Sequence, residues 1–233
     1  MTVTRFFKYQ LTLEYDGSGY RGWQIQENAR SVQGTLLTAA TELFGAEVDI
    51  QGAGRTDAGV HALGQVAHLT VKKALPPPRI KAGLNDLLPA GLNILRVEQV
   101  PGAWHARHDA VSRSYIYIVS RTRTAFGKRY VWWVKDPLDA EKMKEACRLF
   151  AGFHDFASFV DRRLGDVDHD DVNARHGASL CNAIAHGAGA DDADGADVHF
   201  LCSEDVRMKG GEPPWGVDRP MVTGAARPPA ILE

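Results

Sequence analysis

This chain predicts an α+β protein with antiparallel sheets, and three observations predict it. Apolar residues alternate with a period of two in several short segments and recur at helical spacing in others. Over residues 8–100 the two kinds follow one another as strand, helix, strand, strand, helix, strand, which is the split βαβ order of a ferredoxin-like unit. A second alternating, aromatic run starts at Ser112. Two ferredoxin-like halves are therefore expected, with their sheets around a central cleft.

The first strand is expected over Lys8 to Asp16, where Tyr9, Leu11, Leu13 and Tyr15 share one face. A turn-rich stretch follows, Asp16-Gly17-Ser18-Gly19-Tyr20. Ser31 has the chemistry of a helix N-cap; Val32, Leu36, Leu37, Ala40, Leu43 and Phe44 recur at helical spacing, and Gly45 stops the run. Val48 to Gln51 reads as a short strand and Gln65 to Val71 as a longer one. Pro76-Pro77-Pro78 opens a second helix reaching about Leu88, and Asn93 to Val100 is the next strand. The first half is placed at 1–103 and the start of the second at 104–160.

In the second half, Ser112 to Ser120 is strand-like, with Arg113, Tyr115, Tyr117 and Val119 on one face and Ser114, Ile116 and Ile118 on the other. Tyr130 to Val134 also reads as a strand, with Trp132-Trp133 as its core and edge. Pro137-Leu138-Asp139 opens a helix in which Met143, Ala146, Cys147 and Phe150 form the expected buried stripe. The character changes after about Val160. Residues 161–197 are rich in Asp, Ala, Gly and His, and Gly210 to Pro229 is rich in Gly and Pro without periodicity. Residues 161–233 have the composition of a disordered or poorly packed segment more than that of the end of a folded unit.

At 233 residues, 44% hydrophobic and 24% charged, the chain can bury a core as one large domain or two small ones. No apolar run approaches the ~20 residues of a membrane span, and the start of the chain lacks the apolar stretch of a secretory signal. Cys147, Cys181 and Cys202 are not closely spaced, so neither a disulfide framework nor a zinc site is suggested. A reduced, cytoplasmic setting is expected, with no membrane partner. The net charge of −2 averages two unlike parts. Residues 1–150 carry 20 Lys+Arg against 14 Asp+Glu, a net +6, and residues 151–233 carry 7 against 15, a net −8. The basic part suits a phosphate-bearing partner.

The segment richest in chemical implication is Gly54-Arg55-Thr56-Asp57-Ala58-Gly59-Val60-His61. One carboxylate stands between an arginine and threonine on one side and a small-residue turn on the other. A lone aspartate there is a turn-former or a nucleophile. Arg21 and the segment Trp104-His105-Ala106-Arg107-His108 mix basic and ring side chains, which suits a nucleic-acid backbone with exposed bases. The plainer reading of Trp23 and Trp104 is packing. A metal reading of His105 and His108 lacks a further ligand. A hydrolase pairing Asp57 with His61 lacks a third member.

Six blocks in order resemble the bacterial TruA family of tRNA pseudouridine synthases: Glu14 to Gln26, Ser31 to Gly34, Gly54 to His61, Trp104 to His108, Ser112 to Tyr115 and Gly152 to Phe159. The resemblance implies isomerisation of uridine to pseudouridine in the anticodon arm of tRNA, at positions 38 to 40, by a homodimer. No atom is gained or lost in that reaction, so no metal or other cofactor is expected. Asp57 resembles the family's catalytic aspartate. Arg55 resembles the arginine that takes the place of the extruded base, and Tyr115 the active-site tyrosine that covers it. Trp104 to His108 matches a tRNA-contacting stretch, with Trp104 and His108 where the family usually carries Phe. The resemblance weakens near the end. Phe200-Leu201-Cys202-Ser203-Glu204-Asp205-Val206-Arg207 sets its arginine one place late, and Met208 to Pro214 replaces the expected helix. The arginine expected to pair with Asp57 is thus not identified. A reading frame disrupted after about residue 160, or a degenerated C-terminal third, would produce this pattern, and the alternative function is a tRNA-binding remnant with impaired catalysis.

Overall fold

The computed structural model describes residues 6–111, 113 and 115–150 in full and the backbone of 199–202. The first unit is built from β1 (Phe7–Tyr15), α1 (Val32–Phe44), β2 (Asp49–Gly52), β3 (Ala62–Val71), α2 (Pro77–Leu87) and β4 (Leu92–Val100). This is the element order expected from the sequence. The four strands form one sheet in the order β2-β3-β1-β4, every neighbouring pair antiparallel.

Local chemistry explains the helix boundaries. The Ser31 hydroxyl accepts from the Gly34 amide at 3.1 Å, satisfying one of the free donors of the first turn of α1. Gly45 closes the helix with φ of 61°, in the left-handed region where a side chain would be strained. Pro77 and Pro78 open α2, where a missing amide costs nothing. The two helices approach closely: a Cβ on Gly83 of α2 would lie 2.5 Å from Leu43 of α1.

One face of the sheet carries Tyr9, Leu11, Leu13, Ile50, Leu69, Val71 and Ile94, all essentially inaccessible, against Val32, Leu36 and Ala40 of α1 and Ile80 and Leu84 of α2. The other face is also covered. Val66, Ala67, His68 and Leu69 are buried in succession, so both sides of β3 are out of water over that stretch. The second cover is the segment 104–110, where Ala106 and the partly buried Trp104 and Ala110 pack against Ala53 and Val66. Strand β3 begins earlier than its apolar alternation predicts. Its pairing with β1 runs regularly to Leu13↔Gln65, then shifts to Tyr15↔Ala62 through an irregularity.

Beyond residue 110 come β5 (Tyr115–Ser120), β6 (Trp132–Trp133), α3 (Ala140–Leu149) and β7 (His199–Cys202). They give a three-stranded sheet in the order β6-β5-β7, with β6 parallel and β7 antiparallel to β5. Three expectations change here. The strand expected over Tyr130 to Val134 is only Trp132–Trp133. Those tryptophans are 70% and 43% exposed rather than core, with the Arg123 guanidinium 5.6 Å from the Trp133 ring centre. The expected buried stripe of α3 is not buried: no residue of the helix is, and Phe150 just beyond it remains 39% exposed. Helical periodicity sets which residues share a face, but full burial needs a close-fitting opposing surface, and Met143 and Cys147 are only partly covered. The block Gly152 to Phe159, Cys181, and the segment from Ser203 through Arg207 to Pro214 lie outside the described residues. No helix among the described residues is long and apolar enough to cross a membrane.

Candidate active site

Asp57 stands on the surface at a turn between β2 and β3, and the loop bearing it is fastened on several sides. From the turn after β1, the Trp23 amide donates to the Thr56 carbonyl at 2.9 Å and the Gly59 amide donates to the Tyr20 carbonyl at 3.2 Å. Within the loop, the Val60 amide donates to the Asp57 carbonyl at 3.2 Å. These two loops meet backbone to backbone. A Cβ on Gly17 would lie 2.0 Å from the Val60 carbonyl oxygen, and one on Gly22 would lie 2.6 Å from that of Thr56. Gly22 also has φ of 96°, so glycine is required there twice over.

Side chains complete the support. The buried Tyr15 hydroxyl shares a 2.8 Å hydrogen bond with the Thr56 hydroxyl. Gln65 of β3 donates to the Gly54 carbonyl at 3.0 Å, and Arg113 donates through Nη2 to the Ala53 carbonyl at 2.8 Å. Burial pushes the Tyr15 phenol upward; hydrogen bonds with Thr56 and Gln65 oppose this, and the nearby Tyr115 phenol adds to it. Tyr115, 48% exposed at the start of β5, thus lies within electrostatic reach of the side chain that holds the Asp57 loop.

His61 closes the loop but does not serve Asp57. Its Nδ1 lies 3.1 Å from both the Gly17 amide and an Asp16 carboxylate oxygen, while Nε2 lies 3.1 Å from the Arg129 carbonyl oxygen. The Asp57–His61 pairing weighed for a hydrolase is therefore not formed: both ring nitrogens are engaged elsewhere. Asp16 gathers Arg129 at 3.6 Å and the Tyr130 hydroxyl at 3.4 Å, and the Tyr130 ring leans on His61 with centres 4.8 Å apart. The Ser18 amide donates to Asp16 at 2.9 Å, and hydrogen bonding from Ser18 first, then His61 and Arg129, holds its carboxyl below the usual range. Beside this junction is an open hollow of about 260 Å³ lined by Ile116, Tyr117, Ile118, Arg129, Tyr130, Val131 and Trp132. Asp57 is not part of its lining.

The remaining sequence-selected residues separate into two groups. Arg21, Arg55, Arg107 and His108 are exposed. Ala106 is wholly buried, and Trp104 and His105 are half-buried against the sheet. Lys8 donates to the Trp104 carbonyl at 2.8 Å, and the His105 Nε2 lies 3.2 Å from the Gln51 side-chain oxygen. The His68, His105 and His108 rings follow one another in a file, the first pair edge-to-face and the second tilted, with centres 4.6 and 4.3 Å apart. The Ala106 amide donates to His68 Nδ1 at 3.3 Å. Burial, then His105 and Lys8, depress His68 to about 4, with Asp49 opposing. His105 is lowered by burial, then by His108 and Lys8. Among the described residues, no three His, Cys, Asp or Glu side chains are grouped to hold a metal ion. Trp23 is buried, its ring against Gly52, as the packing reading expects. Arg113 was legible only as a strand residue; nothing in its spacing announces its bond to the Ala53 carbonyl.

Fold and site together describe an α+β protein that presents one exposed carboxylate on a braced loop, with arginines and an exposed tyrosine nearby. Residues 12–109 match the family model described as tRNA pseudouridine synthase. The chain is 46% identical over 157 residues to tRNA pseudouridine synthase A of Rhodopseudomonas palustris (strain BisA53), covering 66% of this chain and 64% of that protein. It is 45% identical over 157 residues to the protein of the same name from Bradyrhizobium diazoefficiens, covering 66% and 64%, and 48% identical over 157 residues to that of Allorhizobium ampelinum, covering 65% and 61%. Over these stretches the chain is similar to proteins named tRNA pseudouridine synthase A. The match spans less than two thirds of the length of each of these relatives.

Proposed function

We propose that this protein isomerises uridine to pseudouridine in tRNA, acting in the anticodon arm with Asp57 as its reactive carboxylate. The observation that carries this reading is the braced loop itself. It lies inside the stretch that matches the family model, and its backbone bonds hold the Asp57 position while leaving the side chain open to an incoming nucleoside. The names of the relatives favour the catalytic reading over a tRNA-binding remnant.

The reaction needs little apparatus. The C1′–N1 bond breaks, the uracil turns, and C1′ rejoins through C5; the C5 proton leaves and N1 takes one up. A carboxylate acts either as the nucleophile that holds the intermediate or as a base on the sugar. The target base must first leave its stack. Arg55, exposed two residues before Asp57, is suited to that vacancy because a guanidinium stacks on bases and binds phosphate. Tyr115 supplies a flat, half-exposed surface against the extruded base. Arg21, Arg107 and His108 offer exposed basic or ring groups to the RNA, while Trp104, His105 and Ala106 support that segment from beneath. Two ferredoxin-like halves around a central cleft, a homodimer and a cytoplasmic setting complete the reading.

Release of tritium from C5-labelled uridine in tRNA tests it. The wild-type protein should release label in step with pseudouridine formation, and Asp57→Asn should bind tRNA with nearly unchanged affinity and release none. Conversion that persists in Asp57→Asn overturns the site. Binding by the wild type without release at equal protein and RNA identifies the remnant instead.

A further inference from the structure

Tyr115 and the Asp57 loop come from different sheets, and catalysis as proposed needs them in a fixed relation. Arg113 reaches from the start of the second strand run to the loop. It stands two residues before Tyr115, and its Nη2 donates to the Ala53 carbonyl at 2.8 Å, where the Asp57 loop leaves β2. Its Nε would lie 3.3 Å from a Cβ built on Gly54, so the guanidinium runs along the backbone of the loop itself. The neighbouring carbonyl, of Gly54, is held by Gln65 from within the first sheet. Consecutive carbonyls of one loop are thus tied to two different structural units. Other links from residues beyond 110 to the first unit run through Asp16 and His61 to Arg129 and Tyr130.

We propose that Arg113 is a positioning residue, a strut that sets the Asp57 loop against Tyr115, and that it acts on turnover rather than on tRNA affinity. The inference rests on the synthase reading for its catalytic consequence, but the strut itself is a mechanical claim. A guanidinium reaches a backbone carbonyl as a rigid, charged fork, and a charge-assisted bond is stronger than a neutral one. A small displacement of a reacting group costs rate steeply while leaving distant binding contacts alone.

The test pairs hydrogen–deuterium exchange with single-turnover tritium release in Arg113→Gln and Arg113→Lys, using the full chain. In Arg113→Gln, exchange of the amides from Ala53 to Gly59 should quicken by about tenfold while those of β4 stay within about twofold. Single-turnover release should fall by about 10- to 100-fold with tRNA affinity within about threefold, and Arg113→Lys should recover part of both losses. Unchanged exchange in the loop overturns the strut, whatever the activity. Quickened exchange throughout the first sheet also overturns it, since the residue would then be merely structural. Lost affinity at an unchanged rate makes Arg113 an RNA contact and overturns the proposal as well. A wild-type protein that releases no tritium refutes the synthase reading, and the exchange arm still decides the strut.

Discussion

The histidine buried in β3 makes the stability of this protein sensitive to mild acid. His68 is almost fully buried, its Nδ1 accepts from the Ala106 amide, and His105, Lys8 and Asp49 are the charged or titratable groups that act on it. Its folded value is about 4, against 6.5 in an unfolded chain. The unfolded state therefore takes up a proton first as pH falls. The stabilising contribution is complete above pH 6.5, declines as acid is added and is lost by about pH 4. The full difference is about 3 kcal/mol, and about 2 kcal/mol of it is lost between pH 7.5 and pH 5. Urea unfolding of the wild type and of His68→Asn at those two pH values measures this directly, because the variant's Oδ1 replaces Nδ1 as an acceptor for Ala106 but cannot titrate. The wild type should lose about 2 kcal/mol more than the variant on acidification. Equal losses in the two proteins would refute the reasoning.

Other outcomes follow from the same geometry. Gly22→Ala puts a Cβ 2.6 Å from the Thr56 carbonyl at φ of 96°, so it should cost on the order of 2 kcal/mol by thermal unfolding and slow tritium release more than it weakens tRNA binding. Tyr15→Phe leaves the Thr56 hydroxyl without its 2.8 Å partner and should destabilise by about 1 to 2 kcal/mol in urea titrations. Ser31→Ala removes the cap on Gly34 and should cost about 1 kcal/mol with the catalytic rate per folded molecule unchanged. Asp57→Asn, exposed and held by its backbone, should change stability by less than about 0.5 kcal/mol while abolishing conversion.

The first unit was legible in the sequence because its signals are local. Alternation of Tyr9, Leu11, Leu13 and Tyr15 locates β1, and Ser31 and Gly45 bound α1 by cap chemistry that needs no distant partner. Asp57 stood out by its setting between small and basic neighbours. What stayed hidden depends on tertiary contact. The alternation read in β3 implies one buried face, yet Val66, Ala67, His68 and Leu69 are buried in succession, and only the structure identifies 104–110 as the second cover. The same packing explains why Ala106, chosen for its place in a basic segment, is buried. For α3, Met143, Ala146, Cys147 and Phe150 do share a helical face, but spacing cannot say whether anything lies opposite. Arg113 was invisible for a further reason: its partner is a carbonyl oxygen, which leaves no trace in the choice of amino acid at position 53.

The mounting of Asp57 has a practical consequence. Its bends are held mostly through main-chain atoms of Ala53, Gly54, Thr56, Asp57, Gly59 and Val60, while the side chains at 55, 57 and 58 project into solvent and brace nothing described here. Those three positions can be exchanged as tools in an unchanged handle. Altered chemistries could be installed at 55, 57 and 58 without redesigning the scaffold, whereas the glycines at 17 and 22 would resist replacement by any side chain at all.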